Sequence, residues 1–198
     1  MEIGIFGGTF DPPHIGHLIV ADQALHQLQL DEVWFCPVGQ PPHKHNGELT
    51  PAHHRVHMTR LAIADHERFR ISTIDVDRPP PHYTSGLLRA LCQAFPQHHW
   101  TFLMGADSLM DLPNWHEPDY LLQVADLAVA LRPDVALDLS TVEAALPQIR
   151  ASLRWVRTPL LDVSSSELRR MARQGASLRY LVPRVVEAYI TQVQLYAR

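Results

Sequence analysis

The chain has 198 residues, 46% hydrophobic and 19% charged, with a formal net charge of −4 at pH 7; this allows a sizeable core and argues against broad nucleic-acid binding, which needs a basic face. No apolar run reaches the roughly 18 residues of a membrane span, and the opening MEIGIFGG lacks the basic-then-apolar pattern of a secretion signal. Cys36 and Cys92 lie in apolar runs and read as two buried free thiols, so the expected setting is the reducing cytoplasm, with no membrane and no nucleic-acid partner.

Ile3 to Phe6 is a short apolar run that stops at Gly7-Gly8, a first strand entering a glycine turn. Leu18, Ala21, Ala24, Leu25 and Leu28 then recur at helical spacing, and Val33 to Val38 reads as a second, buried strand. Gly39 to Gly47 is a polar, proline-rich loop. Thr50 and Pro51 predict a helix cap and a first helical residue, followed by Val56, Leu61 and Ile63. Ile71 to Val76 alternates as a strand does, and Arg78 to His82 reads as a rigid, exposed turn. Thr84 or Ser85 would cap a helix carrying Leu87, Leu88, Leu91 and Phe95. Trp100–Met104 and Leu127–Leu131 are further strands, residues 141–150 a helix weakened by Pro147, and Leu153–Val156 a short strand. Ser164 to Glu167 opens a helix with a capping-box pattern, and two helical stretches parted by Gly175 and Pro183 finish the chain. The alternation predicts an α/β fold with a mostly parallel sheet and helices on both faces. It is expected as one domain over 1–198, with a helical C-terminal part from about 164 to 198.

Two strings carry chemistry. In the first, GGTFDPPHIGH, glycines after a strand let backbone N–H groups approach a phosphate. His14 and His17 stand three apart at a helix start, so both rings can share one side, where the helix N-terminus adds about half a positive charge. Gly16 leaves room for a nucleotide against the backbone. Two histidines alone could simply cap a helix; the complete string after a first strand points to phosphate chemistry. It is neither a G-x-G-x-x-G nor a Walker A loop. In the second string, Ser164-Ser165-Ser166 offers hydroxyls and free N–H groups, and Arg169, one turn on, can reach the same anion with a planar fork. Standing alone, that string would be an ordinary serine cap. The 13 histidines raise the question of a metal site, with His53 and His57 at zinc-pair spacing. A zincin needs glutamate where His54 stands, and no third ligand is near, so no metal ligands are expected.

The histidine string resembles the nucleotidyltransferase superfamily with (T/H)xGH signatures, whose Rossmann-like fold is shared with class I aminoacyl-tRNA synthetases. SSSELR resembles that superfamily's second phosphate-binding signature, S-S-(S/T)-x-(I/L)-R, while a KMSKS-like lysine motif is absent from the sequence. GIFGGTFDPPHIGHL, DEVWFCPVGQPPHK, HYTSGLL, FLMGADSLMDLPNW, the ALRP run and YLVPRVVEAYI are similar, over nearly the whole chain, to the bacterial nicotinate-nucleotide adenylyltransferases. The resemblance implies AMP transfer from ATP to nicotinic acid mononucleotide by direct attack, with Mg2+ accompanying ATP. It implies catalytic roles for His14, His17 and Arg169. It extends ATP binding to Gly7, Gly8, Thr9, Phe10, Asp107, Ser164, Ser165 and Ser166, and acceptor binding to Lys44, Thr84, Trp115, His116 and Arg132. Lys44 is a compact cation for the acceptor phosphate, and Trp115 could stack on a pyridine ring. The chain departs from the family's usual pattern at His82, where serine is common, and at His116, where tyrosine is. Those departures leave the acid-over-amide preference open. Same-fold rivals are pantetheine-phosphate adenylyltransferase and the cytidylyltransferases; a non-catalytic nucleotide sensor is the rival of another class. Whether copies of the chain assemble into a homo-oligomer is left open by the residues.

Overall fold

The structure, a computed structural model, describes residues 1–41, 49–131, 137–159 and 161–197. In β1 (Glu2–Gly8) the side chains alternate, Ile3 and Ile5 entering one apolar cluster and Phe6 the other. β2 (Glu32–Pro37), β3 (Phe69–Ile71), β4 (His99–Gly105), β5 (Ala125–Leu131) and β6 (Leu153–Arg157) complete a six-stranded sheet. All its pairings are parallel, in the order β3-β2-β1-β4-β5-β6. A parallel sheet with apolar side chains on both faces must be covered on both.

Helices α1 (Ile15–Gln27) and α2 (Ala52–Ala62) cover one face with Leu25 and Met58. The other face receives α3 (Ile74–Asp77), α4 (Thr84–Ala94), α5 (Ala106–Asp111), α6 (Pro118–Val124), α7 (Ser140–Ala145) and α8 (Ile149–Ser152), through residues such as Leu88, Leu121 and Ile149. The chain then returns to the first face in α9 (Ser165–Arg173) and α10 (Arg184–Gln192), which add Leu168 and Val186. The fold is Rossmann-like, and its strand order reverses at β1 and β4. Open α/β sheets bind ligands beyond the carboxyl ends of the strands at such a reversal. Among the described residues no helix is long and apolar enough to cross a membrane.

Several expectations need correction. Ile71–Val76 is not one strand: β3 ends at Ile71 and Ile74–Asp77 is helical. The reason is local. The Asp77 N–H donates to Thr73 O at 2.9 Å, and Thr73 Oγ1 donates to Asp77 Oδ2 at 2.7 Å, closing a turn. The Arg78–His82 segment is not simply exposed, because His82 is buried and Arg78 folds back to donate to Pro81 O and Tyr83 O. Pro51, not Thr50, caps α2; the Thr50 carbonyl is engaged by Arg55 and its N–H by Asp11. Tyr83 caps α4 in place of Thr84 or Ser85, and the Ser85 hydroxyl pairs with His116 instead. The expected helix over 141–150 breaks at Leu146-Pro147-Gln148, where proline supplies no N–H. Gly7 and Gly8 belong to β1, in register with Cys36 and Pro37, so they end the strand rather than form the turn. Both cysteines are free, but only Cys36 is buried. The capping box at α9 is half present: Ser164 Oγ accepts from the Glu167 N–H, while the Glu167 carboxylate pairs with Arg170.

Candidate active site

A cavity of about 540 Å³ opens beyond the carboxyl ends of β1, β2 and β4. Gly7, Gly8, Thr9, Thr84, Asp107, Trp115 and His116 all line it, so the structure gathers these residues from four separate stretches of sequence. A Cβ at Gly8 would meet the Phe10 ring at 3.0 Å, and one at Gly7 the Phe102 ring at 3.3 Å. The strand must therefore end without side chains. Thr84 is the first residue of α4, and Asp107 lies exposed in the first turn of α5. His116 stacks on Tyr83 with ring centroids 4.3 Å apart and planes 7° from parallel, its Nδ1 3.1 Å from Ser85 Oγ. Trp115 stands edge-on to Phe102 at 6.1 Å and donates Nε1–H to Asp111 Oδ2 at 3.2 Å. An aromatic wall with a few placed polar groups suits a flat, polar-edged ligand.

The histidine pair sits next to this cavity along the chain. His14 is the N-cap of α1 and His17 lies in its first turn; their rings stack at 3.7 Å. The His14 N–H donates to His17 Nδ1 at 3.1 Å, which leaves the His17 proton on Nε2. Phe6 and Phe10 press edge-on against the His17 ring at 5.8 and 5.1 Å. Phe10 has a left-handed φ of 50° and is buried. Its ring therefore supports His17 rather than facing a nucleotide. Gly16 has a similar internal reason: a Cβ there would reach His14 Nδ1 at 3.0 Å. Burial lowers the His14 pKa to about 4, and burial together with His14 holds His17 well below the usual histidine value. At neutral pH both rings are uncharged, so they act as N–H donors and not as cations.

The second motif closes on the same loop. Ser164 caps α9, Ser165 Oγ donates to Pro12 O at 2.9 Å, and Arg169 Nη1 donates to Asp11 O at 2.7 Å. Arg169 Nη2 also reaches Ser166 Oγ at 3.4 Å. Asp11 and Pro12 lie between the glycines and His14, so both motifs meet on one short segment. Buried polar atoms nearly always have a partner. Among the described residues, His14 Nδ1 and Arg169 Nε are buried without one.

His14, His17, Arg169 and the three serines do not line the 540 Å³ cavity; Thr9 to Pro13 connects them to it. Lys44 and Arg132 lie outside the described residues. In the histidine run, His54 Nδ1 is 2.6 Å from the Tyr189 hydroxyl, and the His57 ring packs on Tyr189. No group of three or more His, Cys, Asp or Glu side chains gathers among the described residues to hold a metal. Two buried residues escaped the sequence reading. Asp75 accepts from the Gly39 N–H at 3.0 Å and from Arg78 Nε at 2.8 Å, which fixes one wall of the cavity. Arg55, inside the histidine run, donates to the carbonyls of Thr9, Val38, Gly39 and Thr50. The only sequence signals were an Asp-x-x-Arg spacing and one arginine in line with Met58 and Ala62 on a helix face.

The model of the cytidylyltransferase-like family matches residues 5–171. A protein of Thermomicrobium roseum, named probable nicotinate-nucleotide adenylyltransferase, is 47% identical over 195 residues, covering 98% of this chain and 91% of its own. A protein of the same name from Exiguobacterium sibiricum is 42% identical over the full length of both chains. Among solved structures, the Plasmodium falciparum nicotinic acid mononucleotide adenylyltransferase complexed with NaAD superimposes with a TM-score of 0.80 at 22% identity, over 98% of this chain and 97% of that one. That last likeness speaks to fold.

Proposed function

This chain belongs to the cytidylyltransferase-like family and, within it, to the nicotinate-nucleotide adenylyltransferases, and from that membership we propose that it transfers AMP from ATP to nicotinic acid mononucleotide. The products are nicotinic acid adenine dinucleotide and pyrophosphate, a step of NAD biosynthesis. The observation that carries the reading is the meeting of Arg169 and Ser165 with Asp11 and Pro12, which brings the two phosphate motifs to one place.

The acceptor's phosphate oxygen attacks the α-phosphorus of ATP in line, and the bond to the β-phosphate oxygen breaks. The attacker is already anionic, so no nucleophilic side chain or general base is required. What the protein supplies is position and N–H donors aimed at growing charge. His17 offers Nε2–H, Arg169 a guanidinium, and the N-terminus of α9 its first-turn amides. His14 and the Ser164–Ser166 hydroxyls complete the triphosphate cradle. Asp107, which lines the cavity, would hold a ribose. On the acceptor side, Thr84 and the start of α4 meet the ring carboxylate, Trp115 and His116 flank the pyridine, Lys44 holds the phosphate end, and Arg132 completes the acceptor-binding set. Asp11 and Asp75 are engaged by internal donors, and no carboxylate cluster stands ready among the described residues. Mg2+ would enter with ATP and would neutralise charge on the leaving pyrophosphate.

Pyrophosphate release measured with ATP and, separately, the acid nucleotide, the amide nucleotide and phosphopantetheine tests the assignment. The acid nucleotide should be the preferred acceptor. Reaction with phosphopantetheine alone would overturn the acceptor, and ATP binding without pyrophosphate release from any acceptor would overturn the chemistry.

A further inference from the structure

Asp11 is completely buried, three residues beyond the glycine strand end and three before His14. Its Oδ1 accepts from the Tyr196 hydroxyl at 2.8 Å, across 185 residues of sequence, and its Oδ2 from the Thr50 N–H at 3.1 Å. Thr50 is held in turn by Arg55, whose Nε donates to its carbonyl at 2.8 Å. Arg55 is also fully buried, and its other donors reach Thr9 O at 2.9 Å, Val38 O at 2.7 Å and Gly39 O at 2.7 Å. Burial and the neighbouring Asp11 carboxylate push the Tyr196 pKa up, so its hydroxyl keeps its proton and remains a donor. The Thr9–Pro13 segment is thus fixed by side chains from α2 and from the C-terminal tail. Its free carbonyls, Asp11 O and Pro12 O, are the ones that receive Arg169 and Ser165. Neither Tyr196 nor Arg55 lines the substrate cavity.

We propose that Tyr196 and Arg55 are positioning residues for adenylyl transfer, acting through Asp11 and the Thr9–Pro13 segment to set the two phosphate motifs against each other. The inference rests on the adenylyl-transfer reading. Catalysis by positioning is steep in distance: a displacement of about 1 Å can cost about a hundredfold in rate. Removing one donor from a buried carboxylate leaves that carboxylate under-satisfied and lets the segment shift. The acceptor wall is held through hydrogen bonds that do not involve Tyr196, Asp75 on the Gly39 N–H and Arg78 on Tyr83 O among them, so the effect of losing Tyr196 should fall on the ATP side.

The test is steady-state kinetics of Tyr196→Phe, with ATP and nicotinic acid mononucleotide varied in turn, and with melting temperature and calorimetric ATP affinity measured on the same preparation. The expected result, well below the melting temperature, is roughly a tenfold loss in kcat/KM for ATP with weaker ATP binding and an unchanged acceptor KM. Arg55→Lys keeps the charge but loses the planar fork, and should lose roughly a hundredfold; if it does not fold, Tyr196→Phe alone decides. A lower melting temperature with wild-type kcat and ATP KM would show a merely structural role and overturn the proposal. So would an effect confined to the acceptor KM. A parent enzyme that releases no pyrophosphate would overturn the adenylyl-transfer reading and this inference together. An active parent with an unmoved Tyr196→Phe variant would sink this inference alone.

Discussion

His17 shows how a single hydrogen bond can assign a chemical role. Because Nδ1 accepts from the His14 backbone, the ring presents Nε2–H, and burial keeps it neutral. Preorganised donors of this kind are worth about 2.7–4 kcal/mol. His17→Ala should therefore lower kcat by about 10²–10³ with the fold intact by circular dichroism, and near-normal turnover would remove His17 from the reaction. His14 makes a different prediction. Its folded pKa of about 4 lies below the unfolded value of 6.5, so between those pH values the unfolded chain holds a proton that the folded chain lacks. His14 therefore contributes a loss of stability as pH drops through that window, by up to about 1.4 kcal/mol per pH unit, and its contribution levels off once both states are protonated. His14→Gln should lessen the slope of that stretch of the melting-temperature curve, with His17 supplying the remainder; an unchanged slope would mean that His14 titrates normally in the folded chain. These histidines were legible in the sequence because their motif is local. Gly16 was legible as a constraint but not for its reason, since only coordinates show the His14 ring 3.0 Å from its missing side chain. Arg55 left only a faint trace, one charged residue in line with Met58 and Ala62 on a helix face. Its carbonyl partners are up to 46 residues away, and an arginine pattern carries no record of them.

At the scale of elements, α9 is the part most exposed to local sequence choice. Only nine residues long, it carries both Ser165 and Arg169, and its capping hydrogen bond runs from the Glu167 N–H to Ser164 Oγ at 3.2 Å. Ser164→Ala should cost about 1 kcal/mol of stability. It should also raise the ATP KM several-fold by fraying the turn that meets Pro12, with the acceptor KM unmoved. Thermal melts and two-substrate kinetics check this, and an unaltered ATP KM would separate the cap from the site. The cap was readable because serine followed three residues later by glutamate is a local signature. The elements that misled were those decided by competing side chains. Ile71–Val76 looked like a strand until Thr73 and Asp77 closed a turn within it. Between β4 and β5, α5 and α6 went unread because their short apolar spacings, Leu109 to Leu112 and then Leu121, fit a loop as well as a helix.

The whole molecule is a device for bringing distant segments to one edge of a sheet. Ser165 meets Pro12 across 153 residues and Arg169 meets Asp11 across 158, while the reversal of strand order at β1 and β4 opens the cavity beside them. The sheet class could be read from alternating strands and helices, because a parallel sheet needs crossover helices. The convergence itself could not: periodicity fixes which face of an element is apolar, but not which loops lie together. The most direct measurement is a crystal structure of the chain with a non-hydrolysable ATP analogue and Mg2+. The account predicts one triphosphate within hydrogen-bonding distance of both His17 Nε2 and the Arg169 guanidinium, with its α-phosphorus open toward the Thr84–Trp115 side of the cavity. A triphosphate bound to only one of the two motifs, or away from both, would contradict it.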